Sequence, residues 1–169
     1  TGDALSEENF WQTRNIYLAF ETSRGCWWGE KHHCKFCGID NTELQYRQKS
    51  PEQSYDEILA LWKKYHMDLL AIDLLMSRQN LKQLLPRLAQ TPSSPIIHYG
   101  LRANVDCTDI KLLKQANIKR FHMGLESLNT ELSKLMNKGL TSIQCIAVLK
   151  WCTEENLAIG WNMLYGIPG

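Results

Sequence analysis

No run of apolar residues in this chain extends beyond a few positions, so nothing in it reads as a bilayer span. The N-terminus, TGDALSEENFWQTRN, lacks the basic and apolar regions of a secretory signal. An excess of one charge is missing too. Nineteen Lys and Arg stand against eighteen Asp and Glu, which removes the electrostatic footprint expected for nucleic acid or an anionic membrane. Internal repeats, low-complexity tracts and interdomain linkers are absent. What is left is a globular chain expected in the cytoplasm. Its 169 residues, 44% hydrophobic and 22% charged, suit one domain with a real core.

The protein does have cysteine, six in all: Cys26, Cys34, Cys37, Cys107, Cys145 and Cys152. Without an export signal an even count predicts reduced thiols rather than a disulfide framework. Cys26, Cys34 and Cys37 fall within twelve residues, in RGCWWGEKHHCKFCGID, and that clustering locates the chemistry.

Apolar and β-branched runs predict strands near Ile16–Thr22, Leu69–Leu75, Ile96–Leu101, Lys119–Leu125 and Ala158–Leu164. Helical patterns fill the gaps. Ser50, Pro51 and Gln53 form a helix start with a capping box, followed by Tyr55, Ile58, Leu59 and Trp62 on one face up to His66. A second helix spans Asn80–Gln90, with Pro86 expected to bend it or delay its start. A third follows Thr108, a fourth covers Glu131–Lys138 and stops at Gly139, and a fifth runs from Thr141 to Asn156 with Gln144 completing a capping box. Strand alternating with helix implies an α/β fold of parallel strands, either an open sheet or a barrel of β/α units. Both gather ligands at the C-terminal strand ends. Those ends carry Cys26, then Asp73 to Ser77, Arg102 with Asn104, Glu126, and Asn162 onward.

Thiolates hold zinc or iron–sulfur clusters, and CxxC lets two sulfurs of one tight turn reach one centre. Three readings fit. Zinc would need a fourth ligand, which His32 or His33 could supply. A four-iron cluster on three cysteines would keep one iron open for a substrate. Three unliganded thiols in a Trp-rich loop is the plain alternative.

The stretch ETSRGCWWGEKHHCKFCGID, followed in order by KSPEQ, LLPRLA, LLKQANIKR, GLESLN, LMNKG and LKWC…WNMLYGIPG, resembles the radical S-adenosylmethionine (SAM) superfamily. The likeness is to its branch that matures ribosomally made peptides such as bacteriocins, many of them cobalamin-dependent. It runs from Phe20 nearly to the end. The usual spacing there is CxxxCxxC, and this sequence departs from it with seven residues between the first two cysteines. The resemblance implies a partial (β/α) barrel of about five units. Residues 1–15 would be a lead-in from a missing upstream region, and 16–169 a core stopping before a sixth unit.

It further implies a [4Fe-4S] cluster on Cys26, Cys34 and Cys37, with SAM chelating the open iron and His32 and His33 outside the metal. Phe36 would lie near the adenine, and Glu126 would accept hydrogen bonds from SAM. Asp73 or the backbone carbonyls of Leu75 to Ser77 are candidates to hold the SAM amino group, because AIDLLMSRQ stands where many relatives carry a GGE-like motif. Arg102 and Asn162 complete the cofactor-binding candidates from the strand ends. An electron from a donor such as flavodoxin or ferredoxin would cleave the sulfonium, to modify a precursor peptide by C-methylation. Cobalamin would be held by a domain outside this chain. The alternatives are a tRNA-modifying radical SAM enzyme, which the balanced charge disfavours, and a zinc-stapled interaction module. For Glu126 the plain role is a helix cap, for Arg102 a turn residue, for Asn162 a buried polar group, and for Cys107, Cys145 and Cys152 small core residues.

Overall fold

The computed structural model describes residues 16–167, so the lead-in 1–15 and the last two positions lie outside the described residues. Five parallel strands form one sheet: β1 (Leu18–Phe20), β4 (Leu69–Ala71), β5 (Ile97–Arg102), β6 (Ile118–Gly124) and β7 (Ala158–Gly160), hydrogen-bonded in that order. This is the α/β architecture of a partial barrel. β2 (Ser23–Arg24) and β3 (Arg47–Gln48) form a separate antiparallel pair that the sequence pattern did not announce. They pinch together the two ends of the cysteine loop.

All five expected strands are present, and the first, second and fifth are shorter than their apolar runs. Beyond Ala71 the backbone bends away because Asp73 is drawn to Thr22 and Ser23 rather than into a ladder. The run Ala158–Leu164 pairs only through Gly160, with one further bridge between Met163 and Glu126.

Helices follow the capping signals closely. α1 is a single turn, Gly29–His32, inside the cysteine loop. α2 (Pro51–Tyr65) opens on Ser50, whose side chain accepts from the Gln53 amide in a complete capping box, an arrangement in which the cap residue typically stabilises a helix by about 1 kcal/mol. The second predicted helix divides. Asn80–Leu84 is a π-helical turn, in which the Leu85 amide reaches back to the Asn80 carbonyl, and α3 (Leu85–Ala89) starts afresh with Pro86 in its first turn. Proline cannot donate to the carbonyl four residues back, so the widened turn absorbs the missing bond. α4 (Cys107–Gln115) is capped by Asp106 with Asp109 at N3. α5 (Thr130–Leu135) ends earlier than expected, because the Lys138 amide turns back to the Ser133 carbonyl and Asn137 takes positive φ; Gly139 lies beyond the stop. α6 (Ser142–Glu154) has the Thr141–Gln144 box.

Alternation along the strands separates core from lumen. Leu69 and Ala71 are buried with Ile58, Leu84 and Leu88, whereas Leu70 and Ile72 are exposed on the other face. Full burial of a leucine contributes about 2 kcal/mol, so the core side fixes the register. A one-residue slip would turn the core outward. Among the described residues, no helix is long and apolar enough to cross a membrane.

Candidate functional site

At the C-terminal strand ends a cavity of about 740 Å³ opens between the sheet and the cysteine loop. Cys26, Cys34 and Cys37 line it together, with Phe36, Asp73, Arg102, Glu126 and Lys138 around them. All of these except Lys138 were expected at the site from the sequence. Lys138 is an addition. Asn162 is exposed and outside the lining, its Nδ2 3.5 Å from His122 Nε2, because the backbone leaves the sheet after Gly160. It is neither a buried polar group nor a wall of the cavity.

The cysteine loop is anchored at its root. The Thr22 amide donates to Asp73 Oδ1 (2.8 Å), and the Thr22 and Ser23 hydroxyls donate to Oδ2 (both 2.6 Å). Tyr99 adds a 2.8 Å bond to Oδ2, and Asn80 donates to the Thr22 hydroxyl at 2.8 Å. Asp73 is thus buried and occupied as the tie between β1 and β4, which leaves little of its carboxylate for a ligand. Burial, together with the Asp73 charge, pushes the Tyr99 hydroxyl well above its ordinary pKa, so it remains a donor.

The loop's far side is docked on residues 136–139. Lys35 donates to the Met136 carbonyl, Trp28 Nε1 to the Asn137 carbonyl (3.2 Å), and Asn137 Nδ2 to the His32 and His33 carbonyls. Arg102 completes the brace. It is 4% exposed, its guanidinium carbon lies 3.7 Å from the Trp28 ring centroid, and it donates to the carbonyls of Lys138 and Gly139. A Cβ on Gly139 would stand 2.5 Å from Trp28, and its φ of +62° is itself unfavourable for side chains, so glycine is required there.

Within the loop, Cys34 and Cys37 close a tight turn through the Cys37 amide and the Cys34 carbonyl (2.9 Å), and the Gly29 amide points at Cys26 Sγ (3.3 Å). His32 stacks on Trp28 at 4.0 Å, and neither His32 nor His33 lines the cavity. Among the described residues, no three His, Cys, Asp or Glu side chains converge tightly enough to grip one ion. The three thiols set around a shared cavity supply the donor set that a multi-iron cluster uses. Burial raises the Cys34 pKa, and Lys138 and Arg102 pull it back. Arg102 is itself lowered by burial and supported by Cys34 and Cys26, so thiolates and cations are mutually compensating.

Glu126 lines the same cavity. It takes φ of 62°, and its carboxylate meets Lys138 Nζ at 3.2 Å. It does not cap the next helix. Asn129 does, accepting from the amides of Glu131 (2.8 Å) and Leu132 (3.0 Å). Glu126 is thus a buried residue in the left-handed region, an unfavourable conformation for a residue with a side chain. Lys138 Nζ also lies 5.3 Å from the Phe36 ring centroid, which joins the cysteine turn to the glutamate. The motif LMNKG stands out in the sequence, yet its lysine has no role legible there; nothing local predicts that a residue past α5 will reach back to β6.

Comparisons with known proteins give the family and the fold. A family model described as "Radical SAM superfamily" matches residues 20–169. No curated protein matches the sequence. Among solved structures, TsrM from Kitasatospora setae, a radical S-adenosylmethionine methyltransferase with cobalamin and a [4Fe-4S] cluster bound, superposes with a TM-score of 0.76 at 21% identity, over 92% of this chain and 32% of that one. OxsB, a cobalamin-dependent S-adenosylmethionine radical enzyme with aqua-cobalamin and S-adenosylmethionine bound, gives 0.65 at 22% identity over 89% of this chain and 24% of its own. HydG, a maturase of the [FeFe]-hydrogenase, gives 0.54 at 17% over 89% and 35%. At these identities the likeness is one of fold, and the chain spans between a quarter and about a third of each relative's length.

Proposed function

This chain belongs to the radical SAM superfamily, and from that premise we propose that it cleaves S-adenosylmethionine at a [4Fe-4S] cluster held by Cys26, Cys34 and Cys37. The observation that carries the reading is the convergence of three thiols, two buried cations and Glu126 on one cavity. The three thiolates fit the group's donor set, and the bound cluster supplies the one electron, drawn from a flavodoxin- or ferredoxin-type donor, that breaks a sulfonium C–S bond.

The protein's own residues do the rest. Arg102 and Lys138 offset the negative charge of the thiolates in a desolvated site. Glu126 accepts hydrogen bonds from the ammonium or ribose hydroxyls of SAM, and Lys138 holds its carboxylate in position. Phe36, 41% exposed beside the last cysteine, offers a ring face to the adenine. With Asp73 committed to the fold, backbone carbonyls of the segment after β4 are left to receive the SAM ammonium. Of Leu75 to Ser77, the Met76 carbonyl already accepts from Trp27 Nε1 and the Ser77 carbonyl from the Leu81 amide, which leaves Leu75.

At the finer level we assign the domain to a cytoplasmic enzyme that C-methylates a ribosomally made precursor peptide, with cobalamin bound by a region outside this chain. The motifs ETSRGC, GLESLN and LMNKG favour that branch, and the cobalamin named in the TsrM and OxsB structures supports the methyl donor. Anaerobic reconstitution tests the core of the reading: iron and sulfide near four per protein, and methionine released from SAM on reduction, are expected. A colourless protein with stoichiometric zinc would refute it.

A further inference from the structure

We propose that the lumen face of β5 and β6 is a carboxylate subsite of this cavity, with Arg120 as its anion-binding side chain and His98 and His122 beside it. The assignment deepens the SAM-cleavage reading and rests on it for the position of the reacting end. Register places the three residues together. His98 is the cross-strand partner of Arg120, Gly100 that of His122, and on the other side Ala158 and Gly160 face Arg120 and His122. All three polar side chains line the cavity. His122 stands between two glycines, so neither neighbouring strand fills the space around its imidazole. Leu70 and Leu74 of the β4 segment are exposed toward the same space, while the Asp68 charge acts on His98 and Asn162 Nδ2 lies 3.5 Å from His122 Nε2.

Arg120 is exposed, and among the described residues none of the nine ion pairs uses it. A guanidinium without a protein carboxylate is set to take one from a ligand in bidentate form. The charge balance selects a monoanion. Arg120 is the one permanent cation of the trio, and burial holds the His98 imidazole below its ordinary pKa, with Arg120 acting in the same direction and Asp68 opposing. His98 also packs on Tyr17, ring centroids 4.3 Å apart.

Distance gives the substrate its length. Arg120 precedes Gly124 by four strand positions, and a Cβ on Gly124 would stand 2.8 Å from Lys138 Nζ. At ~3.3 Å per residue, about 13 Å separate the anion subsite from the level of the Glu126–Lys138 pair. A substrate of that span would carry an apolar body along Leu70 and Leu74 and place its reacting carbon toward the cysteines.

Calorimetric titration of the reconstituted holoprotein tests the subsite with four probes: N-acetylglutamic acid α-amide for an acidic side chain, N-acetylalanine for a peptide's C-terminal carboxylate, neutral N-acetylglutamine amide, and inorganic phosphate. One or both carboxylates should bind saturably and at least tenfold more tightly than the neutral amide, and whichever binds identifies the source of the carboxylate. Arg120→Gln should abolish that preference and Arg120→Lys retain part of it, while iron content and SAM affinity stay unchanged. Equal binding of acid and amide, binding of phosphate alone, or an undiminished preference in Arg120→Gln would overturn the proposal. Wild-type protein that binds the carboxylate but neither cluster nor SAM would remove the SAM-cleavage reading and leave the subsite standing. The reverse result would remove the subsite alone.

Discussion

Lys138 Nζ lies 3.2 Å from Glu126 Oε1 with both side chains about one-tenth exposed, at 10% and 11%, so each charge depends on the other. Breaking a desolvated pair by removing one partner strands the remaining charge.

Glu126→Gln is therefore expected to weaken SAM binding and to lower stability by about 3–5 kcal/mol, since Lys138 loses its counter-ion. Lys138→Met should have a similar stability cost. The double variant should be less destabilised than the sum of the two, with a coupling of about 1 kcal/mol or more in a denaturation cycle. Additive losses would dissolve the pair.

Cys26→Ala, Cys34→Ala and Cys37→Ala should each lose most of the iron after anaerobic reconstitution, whereas Cys107→Ala, Cys145→Ala, Cys152→Ala, His32→Ala and His33→Ala should keep it. Iron and sulfide counts decide the point. Full loading in Cys34→Ala would displace the ligand assignment.

Gly139→Ala tests the brace under the loop. The new methyl would sit 2.5 Å from Trp28 and 3.2 Å from Arg102 Nη2, on a backbone at φ +62°. A strained αL residue costs about 1–2 kcal/mol before any clash. The expected outcome is that cost or more in chemical denaturation, a changed Trp28 environment in near-ultraviolet circular dichroism, and poor cluster retention. Wild-type loading and stability would show that the loop does not need this support.

Asp73→Asn should act on the fold first. It leaves Thr22, Ser23 and Tyr99 competing for a weaker acceptor, and loss of charge-assisted bonds in a buried network costs about 2–4 kcal/mol. Thermal melting should fall well before SAM affinity, measured on the folded fraction, does. A selective loss of SAM binding with unchanged melting would return Asp73 to the ligand.

Alkaline pH should destabilise the domain through Cys152, whose thiol burial raises to about 11. An unfolded thiol ionises near ~8.5–9 while the folded one still holds its proton, so the native state binds more protons and stability declines as pH rises from about 9 toward 11. The contribution is fully present below that window. Cys152→Ala should flatten the decline in denaturant midpoint over the same range.

Most of the fold was legible in the sequence because its signals are local. Ser50–Pro51–Gln53 and Thr141–Gln144 are complete capping boxes in the structure, and the five apolar runs are the five parallel strands. Cys26, Cys34 and Cys37 were also legible, through spacing on one loop. What could not be read depends on contacts between distant segments. Lys138 reaches Glu126 across twelve positions, Arg102 meets Gly139 across thirty-seven, and Asp73 is claimed by Thr22 across fifty-one. The fifth strand was read too long because an apolar run was taken as strand to its end, whereas the ladder stops at Gly160.

The glycines along the strands make the lumen adjustable from one side only. A methyl on Gly100 would meet the Leu74 carbonyl oxygen at 2.8 Å, and one on Gly124 the Lys138 ammonium at the same distance, so neither strand can thicken without moving backbone or a buried charge. On Gly160 the first obstacle is a His122 ring atom at 3.5 Å, an ordinary contact. Residue 160 is thus the position at which the chamber can be resized: alanine or serine there would narrow it beside His122 and leave the Cys26, Cys34 and Cys37 end untouched.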